Sequence, residues 1–62
     1  MRHKLKEIRL KKQYTHEQIA NIVGISRSAY TNIERGTKNP SLSVAKKIKD
    51  ALAYKKDDIF FD

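Results

Sequence analysis

Cysteine is absent from this 62-residue chain, which also has only two glycines and one proline. Without cysteine it can form no disulfide, no thiolate metal site and no thiol nucleophile. The longest stretch without a charged residue, 18–26, has nine residues, whereas a membrane span needs roughly 20 apolar ones. The N-terminus is polar and lacks the apolar stretch of a secretion signal. These absences predict one small cytoplasmic domain, residues 1–62, that does not enter a membrane.

Acidic residues are scarce relative to basic ones. Seven Asp and Glu oppose 14 Lys and Arg, which gives a formal net charge of +7. The excess is uneven, because residues 1–12 hold six basic residues and one acidic residue, whereas the last six residues hold three Asp and no base. Such an excess favours a polyanionic partner, and composition alone leaves nucleic acid and an anionic membrane surface both open.

The chain also lacks the residue constellations typical of catalysis. His3 and His16 are its only histidines, thirteen residues apart, which is not the spacing of a metal-binding pair on one helix face. Gly24 and Gly36 are twelve residues apart, so there is no glycine-rich phosphate loop. We therefore expect no enzyme activity, no metal site and no cofactor.

What the chain does have is helical periodicity. Apolar residues recur at steps of three and four, the period of an amphipathic α-helix. The pattern predicts an all-α fold of five short helices and no strand, over about 2–12, 16–23, 27–35, 42–52 and 56–60. The apolar stripe of the fourth helix consists of Leu42, Ala45, Ile48 and Leu52. In the fifth helix, Ile59 and Phe60 are expected to reach the core.

Helix starts are marked by residues that cap free backbone amides. Thr15 with Gln18 three residues later forms a capping box at the start of helix 2. Ser41 is expected to cap helix 4, with Asn39 followed by Pro40 at the first helical position as the alternative.

The junction between helices 2 and 3 is the most informative feature. Three residues separate them, with Gly24 ending helix 2 and Ser26 capping helix 3. Two short helices joined so closely cannot lie antiparallel and must cross at a steep angle. This arrangement is a helix-turn-helix.

At this point the sequence resembles the phage repressor and Cro-type helix-turn-helix DNA-binding family. The motifs that carry the resemblance are THEQIA at 15–20, VGISRS at 23–28, IERG at 33–36, NPSL at 39–42 and AL at 51–52. Together they cover about residues 5–60. The resemblance implies a compact five-helix, lambda-repressor-like domain that binds double-stranded DNA, usually as a symmetric homodimer, with helix 3 in the major groove.

The resemblance also assigns roles to individual positions. The base-reading positions fall on Arg27, Ser28, Thr31 and Asn32. The phosphate-binding positions fall on His16, Arg35, Lys38 and Asn39. His16 is a departure, because relatives commonly have Gln there. Arg9 matches the family position that forms a structural ion pair with Glu34. The residue types suit these roles, since Arg can pair with guanine, Asn with adenine, and Thr can present a methyl to thymine.

The sequence thus predicts a transcription regulator, and specifically a repressor that occupies a pseudo-palindromic operator. Phe61 has no residues after it to cover it except Asp62, which makes it the candidate for the homodimer interface. Two alternatives stay open: a basic amphipathic protein that binds membrane surfaces, and an antitoxin-like module that holds a regulatory protein partner.

A second departure concerns the end of helix 4. Relatives commonly have Gly after the Leu and Ser as the cap of helix 5, whereas this chain has Ala53 and Lys55. We expect Ala53→Gly to raise stability if residue 53 has a positive φ.

Overall fold

The computed structural model describes residues 1–61 and contains four α-helices and one short 3₁₀ turn. The elements are α1 (His3–Lys11), α2 (His16–Val23), α3 (Arg27–Arg35), α4 (Leu42–Ala51) and the 3₁₀ turn (Asp58–Phe60). No strand occurs in this range, so the all-α prediction is confirmed. None of the helices within residues 1–61 is long and apolar enough to cross a membrane.

The prediction of a fifth α-helix over 56–60 is wrong. Only Asp58–Phe60 are helical there, as a single 3₁₀ turn that no side chain caps. The two carboxylates that could cap a helix are engaged elsewhere. Asp57 pairs with Lys49 of α4, and Asp58 accepts hydrogen bonds from the Tyr54 hydroxyl and the Lys4 ammonium. Without a cap, a segment this short does not extend into an α-helix.

The helix starts follow the predicted caps. The Thr15 hydroxyl accepts from the Gln18 amide, and the Gln18 side chain accepts in return from the Thr15 amide, which completes the capping box. Gly24 ends α2 in the left-handed region, with φ of 86°. The Ser41 hydroxyl accepts from the Val44 amide and begins α4, so the alternative start at Asn39 is wrong.

A single core holds the four helices together. Its fully buried members are Leu5, Ile19, Ala20, Val23, Tyr30, Ile33, Ile48, Leu52 and Ile59. α2 packs against both α3 and α4, while α1 packs against α3 and the 3₁₀ turn. Ile59 and the half-buried Phe60 join this core as predicted.

The prediction that Leu42 belongs to the buried stripe of α4 is wrong, because Leu42 is 93% exposed. It is the first residue of α4. Val44 is half-buried against the core instead.

Candidate nucleic-acid interface

α3 presents two chemically different faces. Tyr30, Ile33 and Glu34 are buried. The opposite face is polar, with Arg27, Ser28, Asn32 and Arg35 exposed and Thr31 half-buried. Apolar anchors three residues apart produce this division, since they fix which side of the helix faces the core.

The four predicted base-reading residues lie together on the exposed face. Arg27, Ser28, Thr31 and Asn32 line one shallow depression, and Arg35 of the next turn completes its wall. The lining contains guanidinium, hydroxyl and amide groups, and it contains no carboxylate. Chemically, this surface can donate to base acceptors and attract phosphate at the same time.

The predicted phosphate-binding residues of the following loop are also exposed. α3 ends at Arg35, and Gly36 turns the chain in the left-handed region, with φ of 84°. Lys38 and Asn39 follow on the surface. The carbonyl oxygen of the Asn39 side chain accepts a 2.7 Å hydrogen bond from the guanidinium of Arg2, so its amide nitrogen is the part left to meet a ligand.

Behind α3, Arg9 and Glu34 form a buried ion pair. The Arg9 Nε lies 2.8 Å from Glu34 Oε1, and Arg9 Nη2 lies 3.4 Å from Oε2. Arg9 Nη1 also donates to the Tyr14 carbonyl at 2.6 Å. The hydroxyl of Tyr30 donates to Glu34 Oε1 at 3.3 Å. Burial raises the pKa of Tyr30 well above its ordinary value, so this hydroxyl keeps its proton and remains a donor.

His16 lies against this cluster and is only partly accessible. Its Nε2 is 2.6 Å from Glu34 Oε2, and its Nδ1 is 2.8 Å from the hydroxyl of Thr31. The ring also meets Tyr30 edge-on, with 5.4 Å between ring centroids. Both ring nitrogens therefore have partners within the chain, and as placed the imidazole offers no nitrogen to a phosphate.

The hydrogen bonds of His16 determine what Thr31 can offer to DNA. A carboxylate only accepts, so His16 Nε2 carries a proton and donates it to Glu34. The other ring nitrogen, Nδ1, shares a 2.8 Å hydrogen bond with the Thr31 hydroxyl, and the tautomer of the ring sets which of the two atoms donates. In either direction of this bond, Thr31 keeps an oxygen lone pair and its methyl group for a base.

Sequence reasoning missed Arg2. It was counted among the basic residues of the N-terminus, yet it is 7% exposed and donates to oxygen atoms of three other segments. Its partners lie 31 to 58 residues away along the chain. No local pattern signals contacts at that separation.

Comparison with known proteins agrees with this geometry. The family model described as Helix-turn-helix (HTH_3) matches residues 5–59. The chain is 46% identical over 54 residues to the uncharacterized HTH-type transcriptional regulator YqaF of Bacillus subtilis, across 87% of this chain and 71% of that protein. It is 38% identical over 61 residues to the uncharacterized HTH-type transcriptional regulator YgzD of the same organism, across 98% and 92%.

A phage protein is also similar. The cryptic phage CTXphi transcriptional repressor RstR of Vibrio cholerae is 29% identical over 45 residues, which are 73% of this chain and 40% of RstR. No solved structure matches the chain. The family match spans nearly all of the four helices and includes the α2–α3 junction. The chain therefore belongs to the helix-turn-helix family of DNA-binding transcription regulators.

Proposed function

We propose that this protein is a sequence-specific repressor that places α3 in the major groove of a pseudo-palindromic operator. The observation that carries the proposal is the division of α3 into a buried face and an exposed polar face whose donors line one depression. Arg27 and Asn32 read bases there, with Ser28 and Thr31 beside them. An α-helix fits the major groove, whose base edges distinguish all four base pairs.

Phosphate contacts hold α3 in place on either side of the groove. Arg35, Lys38 and Asn39 anchor one side, since all three are exposed at the end of α3 and in the loop that follows. On the other side, the N-terminus of α2 supplies backbone amides at His16 and Glu17, which the capping box leaves unpaired. The imidazole of His16 acts as a brace for Thr31 rather than as the phosphate ligand itself.

A homodimer would match the symmetry of a palindromic operator. Phe61 is 81% exposed, and Leu42 is 93% exposed. The two line the same surface depression, together with Pro40, Ala45 and Phe60 and the polar side chains of Arg2, Asn39 and Asp57. We call the part formed by Pro40, Leu42, Phe60 and Phe61 the apolar depression. Exposed apolar groups grouped in this way favour an interface, and a two-fold dimer would set the two α3 helices about 34 Å apart.

Repression by occupancy is the simplest mode of action for a domain of this kind. A regulator that covers an operator needs no catalytic group, and RstR, one of the relatives, is named a transcriptional repressor. The membrane-surface and antitoxin-like alternatives receive no support from the relatives, whose names describe transcription regulation.

Selection of bound duplexes from a random library tests the proposal most broadly. We expect an enriched pair of half-sites in opposite orientation, with centres about one helical turn apart. Recovery of no common sequence would contradict sequence-specific binding. Parallel sedimentation with anionic liposomes at physiological salt tests the membrane alternative, which predicts binding to vesicles and no preference among duplexes.

A further inference from the structure

The side chain of Arg2 lies inside the domain although it belongs to the N-terminal segment. Arg2 is 7% exposed. Its backbone amide donates to the carbonyl of Glu34 at 2.8 Å, which places the start of the chain against the last turn of α3. Within residues 1–61, the ion pairs do not include Arg2, and the acceptors of its guanidinium are neutral oxygens.

These acceptors come from the end of α3, the loop after it and the 3₁₀ turn. Nη1 donates to the carbonyls of Ile33 at 2.6 Å and Lys38 at 3.2 Å. Nη2 donates to Asn39 Oδ1 at 2.7 Å, and Nε donates to the Phe60 carbonyl at 3.3 Å. The side chain thus gives a second donor to the Ile33 carbonyl, which also accepts from the Gly36 amide at 3.1 Å, and ties residues 38 and 39 to the C-terminus of α3.

The contact with Asn39 fixes the direction of its amide group. A guanidinium has only donors, so the atom of the Asn39 amide that faces Arg2 is the oxygen. The amide nitrogen, with its two protons, then occupies the other branch of the side chain. Because Asn39 is exposed, these protons are the ones available to an anion that approaches from outside.

Arginine suits this position better than lysine. Its planar fork can hold several acceptors in fixed directions, whereas the ammonium of lysine is a single point of charge on a flexible stem. Here three of the four acceptors belong to α3 and the loop that carries Lys38 and Asn39. Loss of the fork would free the Asn39 amide to rotate and the loop to shift relative to α3.

We propose that Arg2 is a positioning residue for DNA binding: it locks the loop after α3 and presents the amide nitrogen of Asn39 to a backbone phosphate. This inference rests on the proposed function, in which Asn39 contacts phosphate. It adds a residue that never touches DNA and that determines whether a phosphate contact forms.

The test compares Arg2→Lys, Asn39→Ala and the double variant in binding to a random-sequence duplex over a salt series. Arg2→Lys keeps the charge and removes the fork. Each single variant weakens binding about tenfold and leaves the slope of log affinity against log salt nearly unchanged, because the Asn39 amide is neutral and releases no counterion. The double variant binds within about twofold of Asn39→Ala, because both changes remove the same contact.

Lys12→Met is the matched control. Lys12 is an exposed basic residue just after α1, and any loss that its removal causes multiplies with the loss from Asn39→Ala. Circular dichroism at the temperature of each binding measurement ensures that only folded protein is compared. Arg2→Lys with wild-type affinity, or losses that multiply in the Arg2→Lys/Asn39→Ala protein, would overturn the proposal.

A measurement on the free protein separates this proposal from the proposed function. NMR relaxation of side-chain amides gives a high order parameter for Asn39 in the wild type, while Asn21, which is exposed on α2, serves as a mobile reference below about 0.6. In Arg2→Lys the value for Asn39 falls to that of Asn21. An Asn39 amide as mobile as Asn21 in the wild type overturns the role of Arg2 even if DNA is bound. A rigid Asn39 in a protein that binds no duplex contradicts the proposed function instead.

Discussion

Among residues 1–61, three charged side chains lie in the interior of this small domain: Arg2, Arg9 and Glu34. A buried charge is costly unless it is paired and fully hydrogen-bonded. Glu34 meets that condition with partners from α1, α2 and its own helix. Because Glu34 belongs to the proposed recognition helix, these bonds also hold the orientation of α3 against the rest of the domain.

Glu34→Gln should therefore destabilise the protein strongly. The amide cannot balance the charge of Arg9, which stays buried and loses its ion pair. We expect the free energy of unfolding to fall by about 3 to 5 kcal/mol, the usual cost of breaking a buried pair by removal of one partner. Glu7→Gln is the control, since Glu7 pairs with Lys11 on the exposed side of α1 and its loss costs under about 1 kcal/mol. Urea unfolding measures both, and equal small losses would contradict the role of Glu34.

Asp58 should make stability depend on pH in the acid range. A hydrogen bond from Lys4, and to a smaller extent one from Tyr54, holds the pKa of Asp58 below its ordinary value. Its ionised form therefore stabilises the fold above the ordinary pKa, and this contribution disappears as pH falls through the lower folded value. We expect Asp58→Asn to be less stable than the wild type at about pH 6 and to converge with it towards about pH 2. Urea titrations at several pH values measure the difference, and a gap that does not change with pH would contradict the assignment.

At the scale of the helices, the features that the sequence predicted correctly are those set by residues close together in the chain. Thr15, Ser26 and Ser41 cap the helices they were expected to cap, because a cap contacts an amide only three residues away. The exposed face of α3 followed from the spacing of Tyr30 and Ile33.

The features that the sequence did not reveal depend on distant contacts. The inward position of His16 depends on Glu34 and Thr31, and the role of Arg2 depends on residues 31 to 58 positions away. Leu42 is exposed at the start of α4, whereas Val44, two residues later, packs against the core. Helical periodicity gives the direction of a side chain and does not give how far the core extends along the helix.

The end of α4 stores backbone strain that glycine would relieve. Ala53 has a φ of 52°, in the left-handed region where an L-residue with a Cβ costs about 1 kcal/mol. We expect Ala53→Gly to raise the free energy of unfolding by up to about 1 kcal/mol. Ala45→Gly, within α4, should instead lower it by about 1 kcal/mol. Urea unfolding measures the free energy of unfolding of both variants. If both substitutions lower it, the backbone at Ala53 is not strained.

At the scale of the whole domain, the positive net charge and the small core favour binding sites on the surface. The chain has a net charge of +7, and its core is too small to bury many charged groups besides Arg2, Arg9 and Glu34. The polar face of α3 and the apolar depression are two surfaces of different composition. We propose that the first binds DNA and the second joins two copies.

Phe61→Ser tests the second of these surfaces. If Phe61 is buried between two copies, its replacement removes about 2 kcal/mol of apolar burial from each copy. We expect sedimentation equilibrium at tens of micromolar to show a dimer for the wild type and a monomer for this variant. Leu10→Ser is the control, since Leu10 is exposed on α1 and does not line the apolar depression. A monomeric wild type that binds a single half-site one to one would defeat the dimer.

The central claim is that α3 reads bases while the residues at its end hold phosphates, and four alanine variants test it most directly. The selected operator and a scrambled duplex are compared over a salt series. We expect Arg27→Ala and Asn32→Ala to cost about 1 to 3 kcal/mol on the operator, to relax preference at one base pair each, and to leave binding to the scrambled duplex nearly unchanged. Arg35→Ala and Lys38→Ala should weaken both duplexes alike and lower the salt slope by about one unit each. If Arg27→Ala weakens both duplexes equally while base preference survives, α3 does not read DNA through this face.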